Sequence, residues 1–311
     1  MMVVPDFGVD EISKQLALVD ETLYAIQPHG IQGLERILGA GGKKLRPRLV
    51  IATAYHNSRP IDDVVITVAT AIELVHLASL VHDDIMDEGT IRHGVATINA
   101  TEGSENALLA GDLLLAKACA LGANVSAAAA GLVAESIVSL CEGQAAEIAD
   151  RFNVQRSVAA WEAAARGKTS SLFVTAVRLG SLLGDGDQLS KNALARFAES
   201  FGLAYQCADD IADFTKSVPG DKAASSDVAE GNYTLPIIFG LEGSDRHELE
   251  RLLRATEISL PEVTLTLEKN GYMDRARQQV EHYGKAALTA LHDTGNPELI
   301  KAFQPLLSVV S

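Results

Sequence analysis

The feature that most limits this chain is an apolar run, Val64 to Val81, that breaks off directly into the acidic cluster His82-Asp83-Asp84-Ile85-Met86-Asp87-Glu88. Glu73 and His76 lie inside the run, which makes it a poor membrane span. It reads instead as a buried helix, opened by Pro60 and Asp62, continuing to about Glu88 and stopped by Gly89. On such a helix Asp83 and Asp87 stand one turn apart, roughly 6 Å, and face the same way. Like charges at that spacing cost about 0.2–0.5 kcal/mol, and anions oppose the partial negative charge of a helix C-terminus. A helix end built for stability alone would carry Lys or Arg, so the broken rule points to a functional site.

The arrangement recurs. Asp209-Asp210-Ile211-Ala212-Asp213 follows the apolar segment Phe201-Gly202-Leu203-Ala204-Tyr205-Gln206. One such cluster reads as a solvated acidic face; two with the same D-D-x-x-D spacing, each ending an apolar helix, point to a shared site. If the two helices face each other, their carboxylates form a cage of hard oxygen ligands. Magnesium suits it, because that ion takes a few carboxylates and completes its shell with water and phosphates. A diphosphate bridging metals held by both clusters is the natural ligand. The metals make it a leaving group and expose carbocation character on an attached allyl. An apolar cavity beneath the carboxylates would exclude water.

The rest of the chain predicts helix after helix. Hydrophobic residues make up 47% of the 311, enough for a large core, but aromatics only 5%. Ala and Leu dominate the apolar set and favour helix, and no long β-type alternation is present. Helical blocks are expected over Asp10–Leu38 (with Pro28-His29-Gly30 as a candidate break), from Pro47 to about Asn57, and over Glu105–Leu121, Ser126–Arg151, Val158–Leu183 and Ser190–Phe214. Shorter ones follow at Thr234–Leu241, Asp245–Thr256, Leu260–Asn270, Met273–His292 and Pro297–Leu307. The polar stretch Lys216–Gly231 reads as a loop. Short linkers predict one domain over residues 1–311.

A formal net charge of −15 excludes a nucleic-acid surface and docking on anionic lipid. It also means that an anionic substrate needs a metal or local cations. Gly41-Gly42-Lys43-Lys44-Leu45-Arg46-Pro47 supplies three cations at an expected helix start, where main-chain N–H groups can hold a second anion. Cys119, Cys141 and Cys207 are widely spaced in apolar contexts and predict reduced, buried thiols. The N-terminal residues have no signal-peptide pattern, so a cytoplasmic location is expected.

Five segments, GGKKLRP, ELVHLASLVHDDIMDEGTIRHG, GKTS, YQCADDIAD and EGNYTLP, together resemble the head-to-tail trans-prenyltransferases, the polyprenyl diphosphate synthase family. They fall in the family's order over nearly the whole chain. The resemblance implies an all-α isoprenoid-synthase-type helical bundle around a deep central cavity, a homodimer, and three magnesium ions per site. The reaction implied is condensation of isopentenyl diphosphate with an allylic diphosphate. By position, Asp83 and Asp87 (with Asp84 between them) correspond to ligands of two ions on the allylic diphosphate. Asp209 corresponds to the main ligand of the third, with Asp210 and Asp213 near or behind it. Lys43, Arg46 and His76 match residues that hold isopentenyl diphosphate, and Arg92 matches the arginine on the allylic diphosphate. Lys168, Thr169 and Gln206 match groups that contact that diphosphate and steady the developing cation, and Lys222 aligns with a further diphosphate-binding lysine.

The growing product should run beside the helix that carries Asp83, with Ala78 and Ser79 as its upper wall and Val75 lower down. Small residues there leave the tunnel open and favour a medium- to long-chain product, with a geranylgeranyl product as the alternative. A class I terpene cyclase would have no need of GGKKLRP, and a phosphohydrolase would need a histidine set that the chain lacks. A regulatory subunit of a hetero-oligomeric synthase is the alternative of another class, although such subunits commonly lose aspartates. Two departures stand out. His93 follows Arg92 where the family usually has a second arginine, and Asn232 lies where it usually has lysine. His93 is only partly charged near neutral pH, so a raised Michaelis constant for isopentenyl diphosphate is expected. Steady-state kinetics of His93→Arg should show that constant fall; an unchanged constant contradicts this weighting of the basic shell.

Overall fold

The structure, a computed structural model, describes residues 10–26, 31, 33–39, 42–92, 94–215 and 227–310. Its centre is α4 (Asp63–Met86). Asp62 caps the helix, its carboxylate accepting from the Val65 amide at 3.1 Å. From Val65 to Val75 only Thr67 on this helix escapes burial, so the helix is packed on nearly every side. It is long and apolar enough to cross a membrane, but 67% of its most apolar window is covered by protein, as a core helix requires.

Around α4 lie α1 (Asp10–Tyr24), α3 (Leu45–His56) and α6 (Ser104–Val125). The α6 helix runs along α4 with Ala107, Ala110, Gly111, Leu114 and Ala118 buried against it. This stripe of small residues at helical spacing lets the two backbones approach closely. A Cβ on Gly111 would fall within the His82 ring, so His82 turns toward α6 and away from the acidic face. The next layers are α7 (Ala127–Ala149), α8 (Val158–Ala165), α9 (Ser171–Leu183), α10 (Gln188–Thr215) and α14 (Tyr272–His292). Rings of Phe197, Phe201 and Phe303 stack and Phe173 meets Phe201 edge-on in the space between α9, α10 and α15 (Pro297–Phe303), with centroids 5.1–6.0 Å apart. A second apolar cluster is built on α11 (Leu235–Glu242), α12 (Arg246–Leu253) and α13 (Leu260–Lys269). It meets the first through Ile211 and Tyr272, which touch both.

Helices therefore occupy the expected blocks; a short hairpin and the exposure of the cysteines depart from expectation. The stretch after Gly89 holds a two-residue hairpin, β1 (Ile91–Arg92) with β2 (Val95–Ala96), and a short α5 (Ile98–Glu102) capped by Thr97. Strands this short leave no alternation to detect. The expected first block divides into α1 and α2 (Gly33–Gly39); the suggested break at Pro28-His29-Gly30 lies outside the described residues. The cysteines are not uniformly buried: Cys207 is, Cys119 is half-buried and Cys141 is exposed. Cys141 stands on the outer face of α7, a face whose apolar character is not matched by cover.

Candidate active site

The first acidic cluster is built on the last turn of α4. Asp87 is the C-cap, and its amide donates to the Asp83 carbonyl at 2.9 Å. The two side chains thus share a face, as the spacing predicts. Asp84 lies about 100° around the helix. It is 3% exposed and accepts from Arg92 Nε at 2.7 Å. That ion pair ties the β1 strand to the helix end, so Arg92 approaches the cluster from the side. On the other flank, Arg151 Nη2 donates to Asp87 Oδ1 at 2.9 Å. The Asp83 carboxyl is pushed above its ordinary range, first by burial and also by Asp87 and Glu147, while Lys168 and Arg92 pull it back.

Lys168 is placed by a crossing of two glycines. Gly143 of α7 and Gly167 touch so closely that a Cβ on Gly143 would sit 2.5 Å from the Lys168 amide nitrogen, and one on Gly167 would meet Gly143 Cα at 2.7 Å. At this crossing the chain between α8 and α9 widens into a π-turn, Arg166–Ser170, a form common at functional sites. One turn beyond Gly143 on α7 stands Glu147, and Lys168 Nζ donates to Glu147 Oε1 at 3.1 Å. The ammonium charge is favoured by Glu147, Asp83 and Asp87 against its burial, the largest single influence.

The next residue, Thr169, begins a hydrogen-bonded chain to the second cluster. Its Oγ1 donates to Gln206 Oε1 at 2.5 Å, and Gln206 Nε2 donates to Asp210 Oδ1 at 2.8 Å. Trp161 Nε1 donates to Asp210 Oδ2, also at 2.8 Å. Asp210 is 2% exposed, with both oxygens engaged by neutral donors. Burial pushes its carboxyl up to about 7, opposed by those two bonds and reinforced by Asp209 and Asp213. Asp209 is exposed and Asp213 half-buried, so these two face outward while Asp210 braces the helix from within. Asp227 hydrogen-bonds Asp213, and burial followed by Asp210 and Asp213 raises its carboxyl well above the usual range.

A polar cavity joins these parts, lined by Glu147, Arg156, Trp161, Lys168, Gln206, Asp210, Asp227 and Asn232 among others. Of these, Glu147, Arg156, Trp161 and Asp227 were not legible as site residues. Their partners, Lys168, the Tyr233 carbonyl, Asp210 and Asp213, come from other segments, so no local spacing marks them. Asn232 is 5% exposed and its Oδ1 has no hydrogen-bond partner, so the departure from lysine falls inside the cavity.

The basic segment sits at the start of α3. Lys44 takes the left-handed conformation, φ 46°, as the N-cap, and its ammonium pairs with Asp20. Lys43 is half-buried, and its carbonyl accepts from Arg48 Nε. Arg46 turns inward. Its guanidinium lies 4.7 Å from the Phe173 ring centroid, and Nε is buried without a hydrogen-bond partner. Burial lowers its affinity for the proton, and buried Glu73 of α4 offsets part of that. His76, one turn beyond Glu73, is half-buried. Val75 and Ala78 are fully buried; Ser79 is half-buried and its Oγ donates to the His76 carbonyl. His93 and Lys222 lie outside the described residues.

Among the described residues, no three His, Cys, Asp or Glu side chains form a group that could hold a metal ion. The donor set nevertheless fits magnesium. It is all oxygen, it presents Asp83 with Asp87 and Asp209 with Asp213 as pairs, and Asp83 is held up by burial and a like charge that a cation would relieve. One or two carboxylates per ion, with water and phosphate, is the usual magnesium arrangement.

Residues 31–266 match the family model described as polyprenyl synthetase. The chain belongs to the polyprenyl synthetase family. It is accordingly a prenyl-transferring enzyme with the helical-bundle fold of that family. It is 34% identical over 261 residues to the nonaprenyl diphosphate synthase of Mycobacterium tuberculosis, covering 82% of this chain and 78% of that one. It is 27% identical to the heptaprenyl diphosphate synthase component 2 of Bacillus subtilis, covering 91% and 82%. Among solved structures it matches the geranylgeranyl pyrophosphate synthase of Corynebacterium glutamicum complexed with calcium and isoprenyl diphosphate. The TM-score is 0.82 at 27% identity, and 98% of each chain is covered.

The synthetase family fold thus meets a site whose alignment depends on two glycines. Gly143→Ala should force the π-turn off α7, lowering stability by about 1–3 kcal/mol and separating Lys168 from Glu147. Thermal unfolding checks the first effect; an unchanged melting temperature contradicts the close crossing.

Proposed function

We propose that this protein is a magnesium-dependent trans-prenyltransferase. In this reading it condenses isopentenyl diphosphate with an allylic diphosphate (dimethylallyl, geranyl, farnesyl or geranylgeranyl) and releases a medium- to long-chain all-trans polyprenyl diphosphate. The observation that carries the reading is the position of Lys168. It is paired with Glu147, electrostatically coupled to Asp83 and Asp87, and next to the Thr169–Gln206–Asp210 chain. Lys168 and Thr169, adjacent in sequence, therefore reach two acidic clusters from distant parts of the chain, one by charge and the other by hydrogen bonds, an arrangement suited to a polyanion lying between them.

Asp83 and Asp87 would hold two ions and Asp209, with Asp213, a third. Magnesium, when bound, neutralises the diphosphate and makes it a leaving group. Lys168 would contact that diphosphate as it departs, while Thr169 Oγ1 and the Gln206 amide face the developing positive charge with oxygen dipoles. Asp210, fixed by Trp161 and Gln206, keeps that amide oriented. Asp84 holds Arg92 beside the cluster, where its remaining N–H groups can meet the allylic diphosphate. Arg46, kept charged by Glu73, with Lys43 and His76, would bind isopentenyl diphosphate. His93 and Lys222 complete the basic shell in this reading.

Val75, Ala78 and Ser79 would form the chain-length wall. Small side chains at that level favour a product longer than geranylgeranyl, and the mycobacterial nonaprenyl synthase is a relative in keeping with this. The Corynebacterium neighbour keeps a geranylgeranyl product as the alternative. We further propose one synthase domain, a cytoplasmic location and a homodimer. Leu108 and Leu109 of α6 are 52% and 59% exposed, and Val138 of α7 is 55% exposed. On α7 the exposed residues Ala134, Val138, Cys141, Ala145 and Ile148 repeat at spacings of three and four, a stripe that a partner helix would cover. The Bacillus component 2 relative makes a different partner subunit the second reading.

Incubation of the purified chain with magnesium, isopentenyl diphosphate and each primer should yield all-trans products longer than geranylgeranyl diphosphate. No product without a second subunit would favour the hetero-oligomeric reading. Ala78→Phe in the same assay should shorten the product, and an unchanged product spectrum contradicts the wall assignment.

A further inference from the structure

Arg151 lies in the turn between α7 and α8 and has no part in the motifs described above. Its Nη2 donates to Asp87 Oδ1 at 2.9 Å, and the two side chains are only 25% and 26% exposed. Its Nε is buried without a hydrogen-bond partner. The turn itself is pinned. Asn153 Nδ2 donates to Asp150 Oδ1 at 2.9 Å, the Phe152 amide donates to the Gly231 carbonyl at 2.8 Å, and Arg156 Nη1 donates to the Tyr233 carbonyl at 3.0 Å. The Phe152 ring covers Gly231 so closely that a Cβ there would lie 2.7 Å from it. Gly231 and Tyr233 follow Asp227, which bonds Asp213 of the second cluster. A single rigid turn therefore touches the first cluster through Arg151 and the flank of the second through Phe152 and Arg156.

A guanidinium fixed beside Asp87 acts in opposite directions on the two expected ligands. It repels a divalent cation approaching that carboxylate alone, and it attracts a diphosphate arriving with the cation. Its planar array of donors leaves N–H groups for phosphate oxygens after one has been given to Asp87. We propose that Arg151 couples the two binding events, opposing magnesium alone at the Asp83–Asp87 cluster and favouring it together with diphosphate. This rests on the reading of that cluster as the metal–diphosphate site. By linkage, whatever factor diphosphate adds to magnesium affinity, magnesium adds to diphosphate affinity.

The test is calorimetric titration of magnesium into the full chain, with and without inorganic diphosphate, for wild type, Arg151→Gln, Arg151→Met and Arg151→Lys. Wild type should bind magnesium more tightly when diphosphate is present. In the Gln and Met variants magnesium alone should bind more tightly, and the enhancement by diphosphate should shrink by at least about fivefold. The Lys variant should keep most of it. Two neutral variants guard against one that fails to fold. An enhancement equal to wild type in the neutral variants overturns the proposal, even if their melting temperatures fall, because a merely structural ion pair would behave so. Weaker binding of magnesium alone also overturns it, since Arg151 would then serve only to aim Asp87. No enhancement in wild type overturns the metal–diphosphate reading itself.

Discussion

Carboxylates drawn out of water at the end of an apolar helix must find positive charge, and the site is organised around that need. Removing a charge from water costs several kcal/mol unless it is paired. Each acid of the first cluster's surroundings meets this cost with a cation from another element. Asp84 is paired with Arg92 from the hairpin, Asp87 with Arg151 from the α7–α8 turn, and Glu147 with Lys168 from the π-turn. Asp83 has the Lys168 and Arg92 charges near it but feels Asp87 and Glu147 as well. In a chain with a net charge of −15, this concentration of cations is local and specific. It gathers four segments around one helix end and leaves the outward oxygens of Asp83 and Asp87 for ligands.

The second cluster meets the same need differently. Asp210 is braced by the Trp161 indole and the Gln206 amide, both neutral, and its carboxyl is raised accordingly. Hydrogen bonds to neutral donors hold geometry without cancelling charge, so Asp210 keeps its demand for a cation. Among the described residues, the carboxylates around the end of α4 are held by ion pairs, and the buried Asp210 by neutral donors. Lys168 and Thr169, adjacent in sequence, connect them, because the glycine crossing and the π-turn place one residue on each side. Such a site suits a substrate that brings both negative charge and its own divalent ions.

Much of this was legible in the residues. Helix positions followed from periodicity and from Gly and Pro, and α4 and α10 carry their aspartates where the spacing put them. The 100° step of a helix separates Asp84 from Asp83 and Asp87, so its distinct environment was also within reach of the pattern. Glu147, Asp227 and Arg151 were not. Their partners lie 21, 14 and 64 positions away, at Lys168, Asp213 and Asp87, and a one-dimensional pattern carries no trace of such pairings. The π-turn was hidden for another reason: a change of hydrogen-bond register over five residues leaves the apolar spacing of the surrounding helices almost intact. The hairpin after Gly89 was too short to alternate.

In the proposed reading, two acidic clusters, far apart in the chain, hold one diphosphate through shared metal ions. A double-mutant cycle tests it most directly: magnesium-dependent binding of inorganic diphosphate by wild type, Asp83→Asn, Asp209→Asn and the double variant. If both clusters act on one ligand, the effects are non-additive, with an interaction of about 0.5–3 kcal/mol and the double variant little worse than the poorer single one. Strictly additive losses would mean that the clusters bind independently, and the account of a single shared site would be wrong.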